Sequence, residues 1–222
     1  MKRSSQWQQR SLGKNSLRRK RRVLEVACQL FAKRGFDGTR VREVCNLAGV
    51  NIASVCYHFQ DKQGLYEAVR AEARGRLSKT SKSNAAASRD ITPEEKLQAI
   101  IESLFARLSG NSAWIARLVA RELADETKIS QGTVTEGLRA DLTLLESALR
   151  DAAGHEADAD TVRLGALNVL SQCVFYCAAN RSLMRIFPKL DEQALIPKRL
   201  VRHLTLFSLR GLADSTSHGR IL

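Results

Sequence analysis

Missing from the sequence is any apolar run approaching the roughly 20 residues needed to cross a bilayer, and its N-terminus lacks the apolar core of a signal peptide. The expectation is a cytoplasmic protein with no membrane partner. A disulfide framework is also missing: the five cysteines are odd in number and without paired spacing, which suits a reducing compartment. Strand patterns are almost absent, because apolar residues recur at three and four rather than at two. The expected fold class is therefore all-α, and no internal repeat points to a solenoid. Acidic residues are absent from the first 22 positions, where nine basic ones stand.

What is present fits a globular chain. At 222 residues, with 44% apolar and 27% charged, it can bury one large core or two modest ones and is not composed like a disordered chain. The net charge of +13 lies entirely in the first part: residues 1–90 carry 20 Lys and Arg against 7 Asp and Glu, while residues 91–222 carry 16 of each. A basic block of this kind favours a polyanion through counterion release, and nucleic acid is the commonest cytosolic polyanion. A solvated tail or a membrane-surface patch would show the same composition.

Apolar spacing predicts the helices. Val23, Val26, Ala27, Leu30 and Phe31 form one stripe, and Lys33, Arg34 and Gly35 end that helix with cations and a residue suited to the left-handed region; it is expected over about 17–34. Val41, Val44, Cys45 and Ala48 make a second helix of about two turns that stops at Gly49. A third runs from about Ile52 to Phe59 after a tight turn. Asp61 caps a longer helix through Leu65, Val69 and Leu77. Residues 79–91 are small, polar and aperiodic, a loop between two functional parts. Thr92-Pro93-Glu94-Glu95 restarts the chain with a capping box and Pro at the first helical position. Amphipathic helices follow at about 93–109, 113–127, 134–153, 159–187 and 197–213. The expected organisation is a basic disordered arm (1–16), a three-helix helix-turn-helix DNA-binding domain (17–62), a connecting helix (63–80), a loop (81–92), a helical effector-binding and dimerisation domain (93–213) and a tail (214–222).

Two short helices joined by a Gly-containing turn can set the second in a major groove, about 12 Å wide, while the first crosses the phosphates. The residues here are Gly35-Phe36-Asp37-Gly38-Thr39, Val41-Arg42-Glu43-Val44, Ala48-Gly49-Val50-Asn51, Tyr57-His58-Phe59, Asp61-Lys62 and Gly64-Leu65-Tyr66. In order and spacing, over about residues 20–70, this set resembles the TetR family of transcriptional regulators. Farther on, Ala120-Arg121-Glu122-Leu123 and Ser171-Gln172-Cys173-Val174-Phe175-Tyr176 resemble the C-terminal domain of its CecR-like branch.

The resemblance implies a ligand-responsive regulator, a repressor in the commonest case, that grips a pseudo-palindromic operator in double-stranded DNA as a homodimer and is released by a small molecule. A ligand-independent DNA-binding dimer or an activator remains the alternative. On the matching positions, Arg42 would reach a guanine edge, Thr39 and Arg40 would face the DNA beside it, Asn51, Ile52, Ala53 and Ser54 would open the reading helix, and Tyr57, His58 and Lys62 would hold the backbone. His58 could instead complete the domain core. Two positions depart from the pattern. Arg40 replaces the usual Ser or Thr cap of the second helix, which leaves capping to Thr39 and adds a phosphate contact, and Cys56 stands where relatives often have Tyr or Asn. In relatives the last two long helices make the dimer, here about 159–187 and 197–213, with Leu164, Leu167, Val169, Leu170 and Val174 on one and Leu200, Leu204 and Phe207 on the other.

Candidate effector contacts, chosen as aromatic or polar groups on apolar helices, are Phe105, Trp114, Arg117, Arg121, Gln172 and Tyr176. No cofactor is called for. Cys173 and Cys177 sit one turn apart, but no third or fourth metal ligand lies near them in sequence. His155, His203 and His218 form no catalytic arrangement, so the chain does not read as an enzyme. The arm carries Lys2, Arg3, Arg10 and Lys14 among Ser, Gln and Gly; it is expected to be disordered without DNA and either to enter the minor groove beside each half-site or to add only non-specific charge.

Overall fold

A computed structural model describes residues 3–78, 91–124, 134–154, 157–187 and 197–217. Every regular element among them is helical: α1 (Arg3–Arg34), α2 (Val41–Ala48), α3 (Ile52–Phe59), α4 (Lys62–Ser78), α5 (Pro93–Leu108), α6 (Ala113–Leu123), α7 (Val134–Ala153), α8 (Ala159–Ile186) and α9 (Pro197–Ser217), with one 3-10 turn at Gly110–Ser112. Most of the loop expected over 79–91, the end of the 113–127 helix, His155, and the last residues of the tail, His218 among them, fall outside the described residues. The chain divides into two compact units, residues 1–73 and 74–222.

In the first unit, α1, α2 and α3 close around Val23, Ala27, Phe31, Val44, Ala48 and Val55, all nearly or fully inaccessible. The first part of α4 adds Leu65, Tyr66 and Val69. Tyr66 meets both Phe31 and Phe36 edge-on, with centroids 5.0 and 5.3 Å away, a geometry that aligns positive ring edges with negative faces. Gly35 ends α1 at φ 75° and donates to the Phe31 carbonyl at 2.8 Å, as a left-handed cap does.

The arm departs from expectation. α1 is helical from Arg3, so residues 3–16 continue the helix instead of forming a disordered segment. Gln, Arg, Lys and Leu are good helix formers, and extending a nucleated helix is far easier than starting one. Low hydrophobicity, which suggested disorder, does not oppose such an extension. At the other end α9 is helical to Ser217, past the helix end expected near residue 213.

The second unit is a bundle whose core includes Leu97, Ile101, Leu104, Leu108, Ile115, Leu118, Leu145, Leu149, Val162, Ala166, Val169 and Leu204. Its first long helix carries the expected capping box: Glu95 N donates to Thr92 Oγ1 at 3.2 Å, and Thr92 N donates to Glu95 Oε2 at 2.8 Å. The Thr92 backbone N–H, and then the Thr92 hydroxyl donating to the same Oε2 at 2.9 Å, lower the Glu95 carboxyl below its ordinary range. Asp158 caps α8 by accepting from the N–H groups of Asp160 and Thr161, and its carboxyl is lowered chiefly by the Thr161 bond. One correction concerns hydropathy. The stretch Ala159–Asn180 of α8 is long and apolar enough by composition to span a membrane, with mean hydropathy 1.3, yet it packs Val162, Ala166, Val169 and Cys173 into the bundle core.

Candidate nucleic-acid interface

Local sequence fixes the geometry of the α2–α3 pair. Gly49 takes the left-handed conformation at φ 63°, and its N–H bonds to the last carbonyls of α2; Val50 N then donates to the Cys45 carbonyl at 3.0 Å. Because Gly49 has no Cβ it takes this conformation without strain, and the chain reverses within two residues. Asn51 caps α3, its Oδ1 accepting from Ser54 N at 2.9 Å.

Burial then sorts the eight residues of α3. Val55 and Phe59 face the core, while Ile52 is 50% and Tyr57 81% exposed, with Ala53 and Cys56 also open. Ile52 and Tyr57 are thus large side chains left in solvent, and Arg40 and Arg42 at the start of α2 are exposed as well, residue types that suit base edges and phosphates. Ser54 and His58 are half-buried. His58 Nε2 lies 3.4 Å from Ser16 Oγ and the ring stacks edge-on against Tyr57, so it packs and bonds at once. Lys62 sets its ammonium 4.5 Å over the Phe36 ring.

Thr39 must be corrected. It is buried and donates from Oγ1 to the Gly35 carbonyl at 2.8 Å, so it neither caps α2 nor faces outward. Arg40 holds the cap position without a side-chain cap bond. Glu43 pairs with Arg34 at 2.5 Å, clamping the start of α2 to the end of α1.

In the second unit, Phe105 and Trp114 are buried, Arg117 and Tyr176 half-buried and Arg121 exposed. A groove of about 430 Å³ runs between α8 and α9. Of the six candidate effector contacts Gln172 lines it; the rest of its wall includes Leu164, Gly165, Asn168, Phe207 and Gly211. The proposed dimer residues separate into two sets. Val169, Leu170, Val174, Leu200 and Leu204 belong to the bundle's own core, whereas Leu164, Leu167 and Phe207 are at least half exposed, joined by Phe175, which spacing had not singled out. Cys173 and Cys177 are buried, and desolvation pushes both thiols up, Cys177 to about 12. Cys45 is also raised by burial, and then by neighbouring Cys56.

Sequence reasoning missed one buried feature. Arg107 of α5 reaches Asp141 of α7 through two bonds, 3.0 and 2.5 Å, and donates to the Leu77 carbonyl at 2.8 Å. The pair is 34 residues apart in sequence, and no local spacing announces it.

A short helix pair joined by a Gly turn, with α3 presenting Ile52, Ala53 and Tyr57 to solvent, is the arrangement of a helix-turn-helix DNA-binding protein. Residues 23–69 match the profile of the bacterial regulatory proteins of the tetR family, and residues 93–212 match the C-terminal domain of the HTH-type transcriptional dual regulator CecR. The probable HTH-type transcriptional regulator YttP of Bacillus subtilis is 36% identical over 114 residues, 50% of this chain and 54% of that one. RutR of Escherichia coli is 39% identical over 51 residues, 23% of this chain and 24% of RutR. The alignments thus span about half the length of the first curated relative and about a quarter of the second. A tetR-family protein from Rhodococcus RHA1 shares the fold at TM-score 0.65 and 18% identity, over 87% of this chain and 96% of that one. FadR of Bacillus subtilis, solved with stearoyl-CoA, does so at TM-score 0.59 and 18% identity, over 87% and 97%. The chain belongs to the TetR family of transcriptional regulators, which are not enzymes.

Proposed function

We propose that the chain is a ligand-responsive repressor that binds a pseudo-palindromic operator as a homodimer in the cytoplasm and leaves it when a small molecule occupies the second unit. The observation that carries this reading is the sorting of α3, which buries Val55 and Phe59 and offers Ile52, Ala53 and Tyr57 to solvent. Arg42 would read a base, Asn51, Ile52, Ala53 and Ser54 would form the rest of the reading edge, and Arg40, Tyr57, His58 and Lys62 would hold phosphates. One reading head covers too few base pairs for useful specificity, and a two-fold operator calls for a two-fold protein. Exposed Leu164, Leu167, Phe175 and Phe207 support a second copy packing on α8 and α9.

Release follows from population shift: an effector that favours the conformer with mis-spaced reading heads weakens DNA binding, typically by about 1–3 kcal/mol of coupling. FadR, solved with stearoyl-CoA, supports an apolar effector, which would enter among Phe105, Trp114 and Tyr176, with Arg117, Arg121 and Gln172 as its polar contacts. The test is anisotropy titration of an in vitro selected operator, with and without a panel of acyl thioesters and other apolar compounds. Tight binding that no compound loosens would favour the ligand-independent dimer instead.

A further inference from the structure

The reading surface does not stop at α3. Ser16 of α1 meets His58 in the last turn of α3 at 3.4 Å, Lys20 places its ammonium 5.8 Å from the Phe59 ring centre, and the Arg22 guanidinium lies where a Cβ on Gly49 would meet it at 3.5 Å. Residues 16–22 of α1 therefore run beside the C-terminal end of the reading helix and the turn that precedes it. Arg18, Arg19, Lys20 and Arg22 are exposed in this stretch, and none of the ion pairs among the described residues uses them; Arg21 pairs with Glu25 at 3.1 Å. Ahead of Ser16 the helix continues to Arg3 through a sequence that includes Arg10 and Lys14 and no acid. At about 1.5 Å per residue this adds roughly 20 Å of helix beyond the helix-turn-helix.

We infer that this N-terminal half of α1 is a second DNA contact, a basic helical rod lying on the phosphates of duplex that flanks each half-site. The inference rests on the DNA-binding reading of α2 and α3. An α-helix with its side chains is about 10–12 Å thick and the minor groove about 6 Å wide, so a helical extension cannot thread that groove as an extended arm would. It can lie along the backbone, where each phosphate it neutralises releases counterions without reading sequence.

The full-length protein would be titrated against two duplexes, one holding only the selected operator and one extended by about ten base pairs, close to one helical turn, on each side. The wild type is expected to prefer the extended duplex, with a salt slope steeper by about 0.9 for every added phosphate contact. The variant R3Q/R10Q/K14Q/R18Q/R19Q is expected to lose both the length preference and the extra slope. R18Q/R19Q, which alters only exposed described side chains, is expected to lose part of each and guards against a helix that fails to form in the larger variant. If the wild type binds both duplexes equally and with equal slope, the rod is not a DNA contact, although the helix-turn-helix reading stands. If it binds no duplex sequence selectively, the DNA reading itself fails. Length-indifferent binding combined with arginine-dependent capture by phosphatidylserine vesicles would overturn the inference in favour of a membrane-surface patch.

Discussion

Deleting one partner of the Arg107–Asp141 pair is expected to damage the protein far more than deleting both. Arg107 is 6% and Asp141 1% exposed, and the guanidinium also donates to the carbonyls of Ser103, at 3.2 Å, and Leu77, at 2.8 Å. Leu77 lies in the last turn of α4, where carbonyls have no partner within the helix, so Arg107 closes that helix end as well as holding Asp141. Taking such a pair out of water is expensive, and its net contribution against well-packed apolar residues is often near zero; breaking it by removing one side strands a buried charge at about 3–5 kcal/mol. Asp141→Leu leaves a guanidinium that cannot shed its charge. Arg107→Met leaves a buried carboxylate and an unanswered Leu77 carbonyl. Each single variant is expected to lose about 3–5 kcal/mol, or roughly 6–20 °C in melting temperature for a chain of this size. The double variant R107M/D141L removes both charges and forfeits mainly the Leu77 bond, about 1 kcal/mol. The assay is chemical denaturation of all four proteins at one fixed concentration, since dimerisation would make stability concentration-dependent. A double variant as unstable as the sum of the singles would refute the reasoning, because the two residues would then not act as a unit. Single losses below about 1 kcal/mol would also refute it, since they would mark a solvent-screened pair.

Other expectations follow from the first unit and the thiols. Arg42→Ala is expected to cost about 1–3 kcal/mol of operator affinity and relax one base position, whereas Lys62→Ala weakens all sequences alike; indistinguishable effects across an operator library would break the division into reader and clamp. Lys62→Ala should also lower stability by about 0.5–1 kcal/mol through loss of its contact with the Phe36 ring, visible as a lower melting temperature without DNA. Gly64→Ala sets a Cβ against the Phe59 carbonyl oxygen, so α3 and α4 must shift and operator binding should fall at least tenfold; an unaffected variant would show that the close approach yields easily. With burial raising Cys173 and Cys177, and Cys56 exposed, an aromatic disulfide reagent at pH 8 is expected to modify one thiol rapidly and the rest only in denaturant. Loss of the fast phase in Cys56→Ser checks the assignment. The same raised thiols stay protonated in the folded protein at pH values where an unfolded thiol ionises, so they should lower stability as pH rises beyond about 8.5, the ordinary thiol value.

Local chemistry made the reading pair legible. Asn51 as cap and Gly49 as turn residue bracket α3, and the helix found there, Ile52–Phe59, is the one the sequence predicts. Thr92, Pro93 and Glu95 likewise announce α5. Failures came where a side chain had a choice or distance was involved. Thr39 could cap forward to α2 or bond back to Gly35, and the backward bond won. Polar residues 3–16 look disordered by composition, yet they extend a helix already nucleated by the stripe from Val23 to Phe31. The periodicity of α8 and α9 marks apolar positions without saying which face the bundle covers, so spacing alone cannot separate Val169 and Leu204 from Leu164 and Phe207. Arg107 and Asp141 meet only through the packing of α5 on α7.

On the proposed function, this TetR-family chain reads DNA as a two-fold pair through α3. Selection from a random duplex library with the full-length protein tests it most directly. Enrichment is expected of an inverted repeat whose half-site centres are one helical turn apart or a multiple of it, lost when Tyr57 and Arg42 are both changed to Ala. Enrichment of a single unrepeated site, or an inverted repeat that survives those substitutions unchanged, would contradict it.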